Sequence, residues 1–113
     1  MHETSLAMSL AEIITEEVAK ARAARATKVI LEIGALSHVD PHAMRFAFDA
    51  AMLGGPGEGA DLEILTPAGE AYCMDCSAVV EIARRGDVCP TCGGSKLLVK
   101  SGDEMKLKAL EVV

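Results

Sequence analysis

Two Cys-x-x-Cys pairs, Cys73/Cys76 and Cys89/Cys92, stand twelve residues apart in the stretch CMDCSAVVEIARRGDVCPTCGG. Each pair can present two thiolates along one edge of a tetrahedron, the arrangement that a structural zinc ion with sulfur-only ligands requires. Cys73, Cys76, Cys89 and Cys92 are therefore the candidate zinc ligands. In CPTCGG the proline stiffens the turn, and the glycines after Cys92 allow positive φ so that amide N–H groups can point at sulfur. CMDCSA has no such glycine, so a looser first turn is expected. Two structural disulfides are the competing reading, but no basic segment followed by an apolar run marks a secretory signal, and Glu3 puts an acid near the start. A thioredoxin-like redox site needs only one pair. The large apolar residues around the cysteines are few, chiefly Tyr72, Val79, Val80, Ile82, Val88, Leu97, Leu98 and Val99. So small a core points to metal binding as the folding energy of this segment.

At 113 residues the chain has room for one domain carrying a metal-held insert. Its formal charge of −6, with one Tyr, two Phe and no Trp, argues against nucleic-acid binding, where basic patches and stacking aromatics supply affinity. No apolar run reaches membrane-spanning length, so no membrane role is expected and the cytoplasm is the expected location.

Leu6, Leu10, Ile13, Ile14, Val18 and Ala21 recur at helical spacing, with Thr4 or Ser5 available as a cap, which predicts a helix over roughly residues 4 to 25. Val29, Leu31 and Ile33 alternate against Lys28 and Glu32 in a half-buried strand ended by Gly34. Asp40-Pro41 reads as a helix start. The second helix, about 41 to 53, carries both phenylalanines, Phe46 and Phe48, and is expected to supply most of the core. After the GGPGEG loop, DLEILTP gives a second strand and SGDEMKLKALEVV a third, in which Met105, Leu107 and Ala109 alternate against Lys106 and Lys108, the two expected to pair around the cysteine segment. The expected class is α+β: a small three-stranded sheet with two helices plus an inserted four-cysteine zinc-ribbon module projecting from one end. The predicted division is residues 1–69 with 103–113 as an α/β domain and 70–102 as the inserted zinc-binding domain.

The N-terminus is the second informative place. Met1 amine, deprotonated His2 amide and His2 Nδ1 can close a five- and a six-membered chelate ring on one metal, with Glu3 able to join. Such nitrogen-rich square-planar coordination suits Ni(II) or Cu(II), and chemistry alone does not choose between them. The plain alternative is a solvated terminal histidine. His38 and His42 read as surface or capping residues, and no nucleophile constellation is visible, so catalysis is not expected. Arg84 and Arg85 fit either an exposed docking tip or a loop that balances the thiolate charge.

The opening Met1-His2-Glu3 with Ser5-Leu6, the VILEIGALSHVDPHAMRFAFD stretch, the double Cys-x-x-Cys and the closing GDEMKLKALEV, in this order along the whole chain, resemble the HypA/HybF family of nickel metallochaperones for NiFe-hydrogenase maturation. The resemblance implies a transient Ni(II) site on Met1, His2 and Glu3 beside the structural Zn(II). It also implies binding to the hydrogenase maturation GTPase, delivery to the NiFe-hydrogenase large-subunit precursor and, in some organisms, service to urease maturation proteins. A homodimer is neither required nor excluded by the sequence. The rival readings are a zinc-ribbon interaction module without a second metal, which would show no His2-dependent Ni(II) uptake, and a thiol oxidoreductase, which would need reactive cysteines.

Overall fold

In the computed structural model, which describes residues 2–113, the chain runs α1 (His2–Lys20), β1 (Ala26–Ile33), α2 (Pro41–Met52), β2 (Asp61–Leu65), β3 (Gly69–Cys73), β4 (Ala78–Ile82), β5 (Leu97–Ser101) and β6 (Met105–Val112). The chain forms two compact units. One takes the residues up to Leu31 together with Val39–Ile64 and Leu107–Val113; the other takes Glu32–His38 and Leu65–Lys106.

In the first unit α1 buries Ala7, Leu10, Ile14 and Val18, one line along the helix. The helix begins two residues earlier than the periodicity suggests and ends at Lys20. There Arg22 adopts φ 54°, Ala23 N–H donates to Val18 O (3.1 Å) and Arg22 N–H to Ala19 O (3.1 Å). This paired closure satisfies carbonyls that the last turn would otherwise leave open, so the helix stops without a glycine. In α2, Asp40 accepts from the His42 N–H at 2.9 Å and Pro41 occupies the first turn, as the Asp-Pro pair implies.

Met44, Phe48 and Met52, four residues apart, form the buried edge of α2. Phe46 does not join them. It lies two residues, about 200°, from that edge, and is 82% exposed against 1% for Phe48. Only one of the two phenylalanines therefore belongs to the core.

The first sheet has the order β2-β1-β6. β2 and β6 do not pair with each other as the sequence suggests. β1 lies between them because its alternation buries Val29, Leu31 and Ile33, the strongest apolar run in the chain. In β6 the alternation slips at Lys108–Ala109, so Leu110 and Val112 take half-buried positions that Ala109 was expected to share.

The second unit holds a sheet that weak alternation left unforeseen, with order β4-β3-β5, both pairings antiparallel. Its apolar cluster is Leu36, Ala71 and Ile82, with Val80, Leu97 and Val99 packed against it. Gly102 (φ 84°) passes so close to Gly34 that a Cβ on Gly34 would meet Gly102 backbone.

The contrast on α2 is testable by chemical unfolding. Phe48→Ala should cost about 3–5 kcal/mol, while Phe46→Ala should change stability by less than about 0.5 kcal/mol. Equal costs would contradict the assigned helix phase.

Candidate metal centre

The β3–β4 hairpin builds the first half of the cysteine site. Cys73 ends β3 and is in register with Ala78, the first residue of β4, so Met74, Asp75, Cys76 and Ser77 form the connecting turn. Within that turn the Cys76 N–H donates to Cys73 Sγ at 3.4 Å. Ser77 takes φ 55°, the left-handed conformation that a glycine would supply without steric cost. The first turn is thus as tight as the second, and a non-glycine residue is held in an unfavourable backbone region to make it so.

The second half is the turn before β5. Cys89 N–H donates to Gly94 O and Gly93 N–H to Cys89 O, both at 2.8 Å, with Gly93 at φ 75°. Gly94 N–H then reaches Cys92 Sγ at 3.4 Å, the amide-to-sulfur bond that the CGG sequence was expected to allow. A Cβ on Gly94 would meet the Asp75 carboxylate at 2.5 Å and Cys92 Sγ at 3.3 Å, so the two turns come together closely at this glycine.

All four sulfurs lie within 4.8 Å of one another. Cys73 Sγ is 3.7 Å from Cys92 Sγ and Cys76 Sγ is 3.8 Å from Cys89 Sγ. Metal–sulfur bonds of about 2.3 Å in a regular tetrahedron put neighbouring sulfurs about 3.8 Å apart. The spacing therefore fits a single four-coordinate ion, and it is far too long for a disulfide; all four cysteines are free. Among the described residues this is the one group of three or more His, Cys, Asp or Glu side chains whose donor atoms converge.

The four thiols do not share protons evenly. Backbone N–H groups of Cys92 and Thr91 directed at Cys89 bring its thiol down to about 6. Hydrogen bonding from Cys92, with burial and the other two thiols, pushes Cys76 up to about 12. At Cys92 the Gly94 N–H pulls downward, yet burial and the thiols of Cys73 and Cys89 leave it raised. One thiolate is thus ready to take a metal at neutral pH, while others must surrender protons to it.

Arg85, read from sequence as a docking tip or a charge-balancing residue, is fastened within its unit. Its Nε donates to Leu36 O at 3.3 Å, and its guanidinium lies 3.8 Å from the Asp103 carboxylate. Asp87 accepts from the N–H groups of Ala83 and Arg84 at 2.9 and 3.1 Å and closes the same turn.

Of the N-terminal residues singled out for a second metal, Met1 lies outside the described residues. His2 and Glu3 are the first two residues of α1, with His2 exposed. The first N–H groups of a helix have no intrahelical acceptor, so the His2 amide gives up no helical bond by facing a metal. Glu3 Oε2 accepts the Asp40 N–H at 3.1 Å, and that bond is the main reason its carboxyl is held below the ordinary value. Asp40 was legible only as the α2 cap. Its tie to Glu3 joins residues 37 apart, and no local pattern announces it. His38 and His42 are exposed.

A family model described as "Hydrogenase/urease nickel incorporation, metallochaperone, hypA" matches residues 1–112. Hydrogenase maturation factor HypA of Rhodopseudomonas palustris is 49% identical over 112 residues, 99% of each chain. Hydrogenase maturation factor HybF of Salmonella typhimurium is 47% identical over the same share of both. The solution structure of the Ni metallochaperone HypA from Helicobacter pylori superposes with a TM-score of 0.72 at 28% identity, covering 98% of this chain and 97% of that one.

The raised thiols set a pH dependence with a definite sign. Cys76 and Cys92 are protonated near neutrality in the metal-free site, so binding must displace at least two protons. Each costs about tenfold in affinity per unit fall in pH, so affinity for a thiophilic divalent ion should drop about a hundredfold or more between pH 8 and pH 7. Chelator competition at the two pH values measures this, and a change under tenfold would refute the assigned protonation.

Proposed function

Because the chain belongs to the HypA/HybF family of hydrogenase maturation nickel metallochaperones, we propose that it carries Ni(II) on Met1, His2 and Glu3. It delivers the ion during NiFe-hydrogenase maturation, while Zn(II) on Cys73, Cys76, Cys89 and Cys92 serves structure alone. The observation that supports the nickel assignment is the start of α1 at His2, whose amide has no intrahelical acceptor to give up. The terminal amine, the His2 amide and His2 Nδ1 then supply the nitrogen set that Ni(II) favours, a set for which Zn(II) has no preference.

The same position explains release. The positive end of a helix disfavours a nearby cation by about 0.3–1 kcal/mol, and a deprotonated amide with the Glu3 carboxylate must offset that. Nickel so held can pass to a better-ordered acceptor. The Glu3–Asp40 bond keeps this end of α1 in a fixed place relative to the cap of α2 while the ion is exchanged. Zinc is the ion assigned to the cysteines because the sulfur spacing is tetrahedral and all four ligands come from protein, a closed site with no position left for chemistry.

On this reading the protein is a carrier and not a catalyst, works in the cytoplasm, and meets the hydrogenase maturation GTPase and the NiFe-hydrogenase large-subunit precursor, or urease maturation proteins. No helix among the described residues is long and apolar enough to cross a membrane. The proposed nickel-binding residues fall in the α/β domain proposed as 1–69 with 103–113, and the zinc ligands in the insert 70–102.

Ni(II) calorimetry on wild type and His2→Ala, with zinc quantified in both, tests the assignment. His2→Ala should lose about a hundredfold or more in Ni(II) affinity, at or beyond the roughly 10–100-fold that loss of a group supporting a ligand costs, and keep its zinc. Acidification should expel nickel before zinc, since a site of four thiolates starts from a large binding free energy, about 10–16 kcal/mol in small zinc-held modules. Undiminished Ni(II) uptake by His2→Ala would rule out the N-terminal ligand set and with it the carrier role proposed for that end.

A further inference from the structure

Phe46 and Met8 are 82% and 60% exposed, large apolar side chains that contribute nothing to the core. They are not scattered. Met8 on α1 and Phe46 on α2 wall a depression of about 410 Å³ whose floor is Ala47, Ala50 and Ala51. Small side chains on the floor let another backbone approach closely between two larger walls. Ala51 also lines the adjoining depression, where α1 contributes Glu12 and Glu16 and Leu53, 71% exposed, follows the end of α2. The two depressions share Ala51 and together border α1 from Thr4 to Glu16, a groove of about 18 Å at the helical rise, or three turns of a helix laid along it.

The charge along this groove is one-sided. From His2 to Ala19, α1 carries Glu3, Glu12, Glu16 and Glu17 and no lysine or arginine. Glu12 and Glu16 are exposed, and neither has an ion-pair partner among the described residues. Arg45, the cation of α2, is turned to the Leu62 carbonyl at 2.8 Å. An apolar floor at one end and unpaired carboxylates at the other select an occupant with the complementary order.

We propose that this α1–α2 groove docks an amphipathic basic helix of a partner protein, its large apolar side chains between Met8 and Phe46 and its lysines or arginines over Glu12 and Glu16. A second copy of this chain is a poor occupant, because it would set one row of glutamates against another, and anionic lipid is repelled for the same reason. A helix fits the length and the alanine floor, and the groove presents helices, with no strand edge for an extended peptide to join. The groove begins at Thr4, immediately after Glu3. The purpose of docking, though not the docking itself, rests on the proposed nickel site: a partner seated here stands beside the metal-bearing end.

The test uses zinc-loaded, isotope-labelled full-length protein and three 14-residue peptides. One is helical, with leucines every third or fourth position flanked by lysines; one has the same composition scrambled; one carries glutamate for lysine. The ordered basic peptide alone should shift the amide signals of Met8, Phe46, Ala47, Ala50 and Ala51. Phe46→Ser, and separately Glu12→Lys with Glu16→Lys, should each weaken its binding at least tenfold, with unchanged circular dichroism and zinc content and with Ni(II) uptake retained. The proposal is overturned if the scrambled or acidic peptide binds equally well, if Phe46→Ser binds undiminished, or if Phe46 instead governs self-association without peptide binding. Selective peptide binding together with Ni(II) uptake undiminished in His2→Ala would overturn the carrier reading and leave the groove standing. Nickel uptake without selective peptide binding would do the reverse.

Discussion

Four sulfurs gathered within 4.8 Å of one another are the constraint on which the second unit depends. Its apolar cluster is small: Leu36, Ala71 and Ile82 are buried, and Val80, Leu97 and Val99 only partly so. Val79, Val88 and Leu98, which the sequence offered as further core, are at least half exposed. Full burial of a side chain of this size stabilises by about 1.5–3 kcal/mol, while ordering each residue costs about 1.5 kcal/mol. Burial cannot order this segment, whereas a metal–thiolate site contributes about 10–16 kcal/mol in small zinc-held modules. The left-handed Ser77 fits the same logic, since a strained residue persists where the surrounding structure over-determines it.

The first unit is built the opposite way. α1, α2 and the long strand β1 bury Leu10, Ile14, Val29, Leu31, Met44 and Phe48, a conventional apolar core without any sulfur ligand. On the proposed reading, that independence leaves the N-terminal end of α1 available for exchange. A permanent ion and a transient one are proposed for donors of different chemistry, sulfur against nitrogen, so that each site can hold its own metal at its own strength.

Strong periodicity made α1, α2, β1, β2 and β6 legible in the sequence, and ligand spacing made the cysteine site legible before any fold was known. What failed was whatever depended on phase or on distant partners. Phe46 and Phe48 are the same residue type on one helix, and only the Met44–Phe48–Met52 line separates the buried ring from the exposed one. β3, β4 and β5 are short, and their register is set by the turns that carry Cys76 and Cys92, so alternation alone did not reveal them. The pairing of β2 and β6 was misjudged because chain order suggested neighbours, while the buried strand β1 took the centre. The Glu3–Asp40 bond had no local signature at all.

The dependence of one unit on sulfur-held metal, and the independence of the other, can be measured together by amide hydrogen exchange before and after the metal is removed with a chelator under reducing conditions. Protection should vanish at Ala71, Tyr72, Val80 and Leu98 while Leu10, Ile14, Val18 and Phe48 keep theirs. Unchanged protection across β3, β4 and β5 after the metal is gone would show that the cysteines do not supply the folding energy assigned to them.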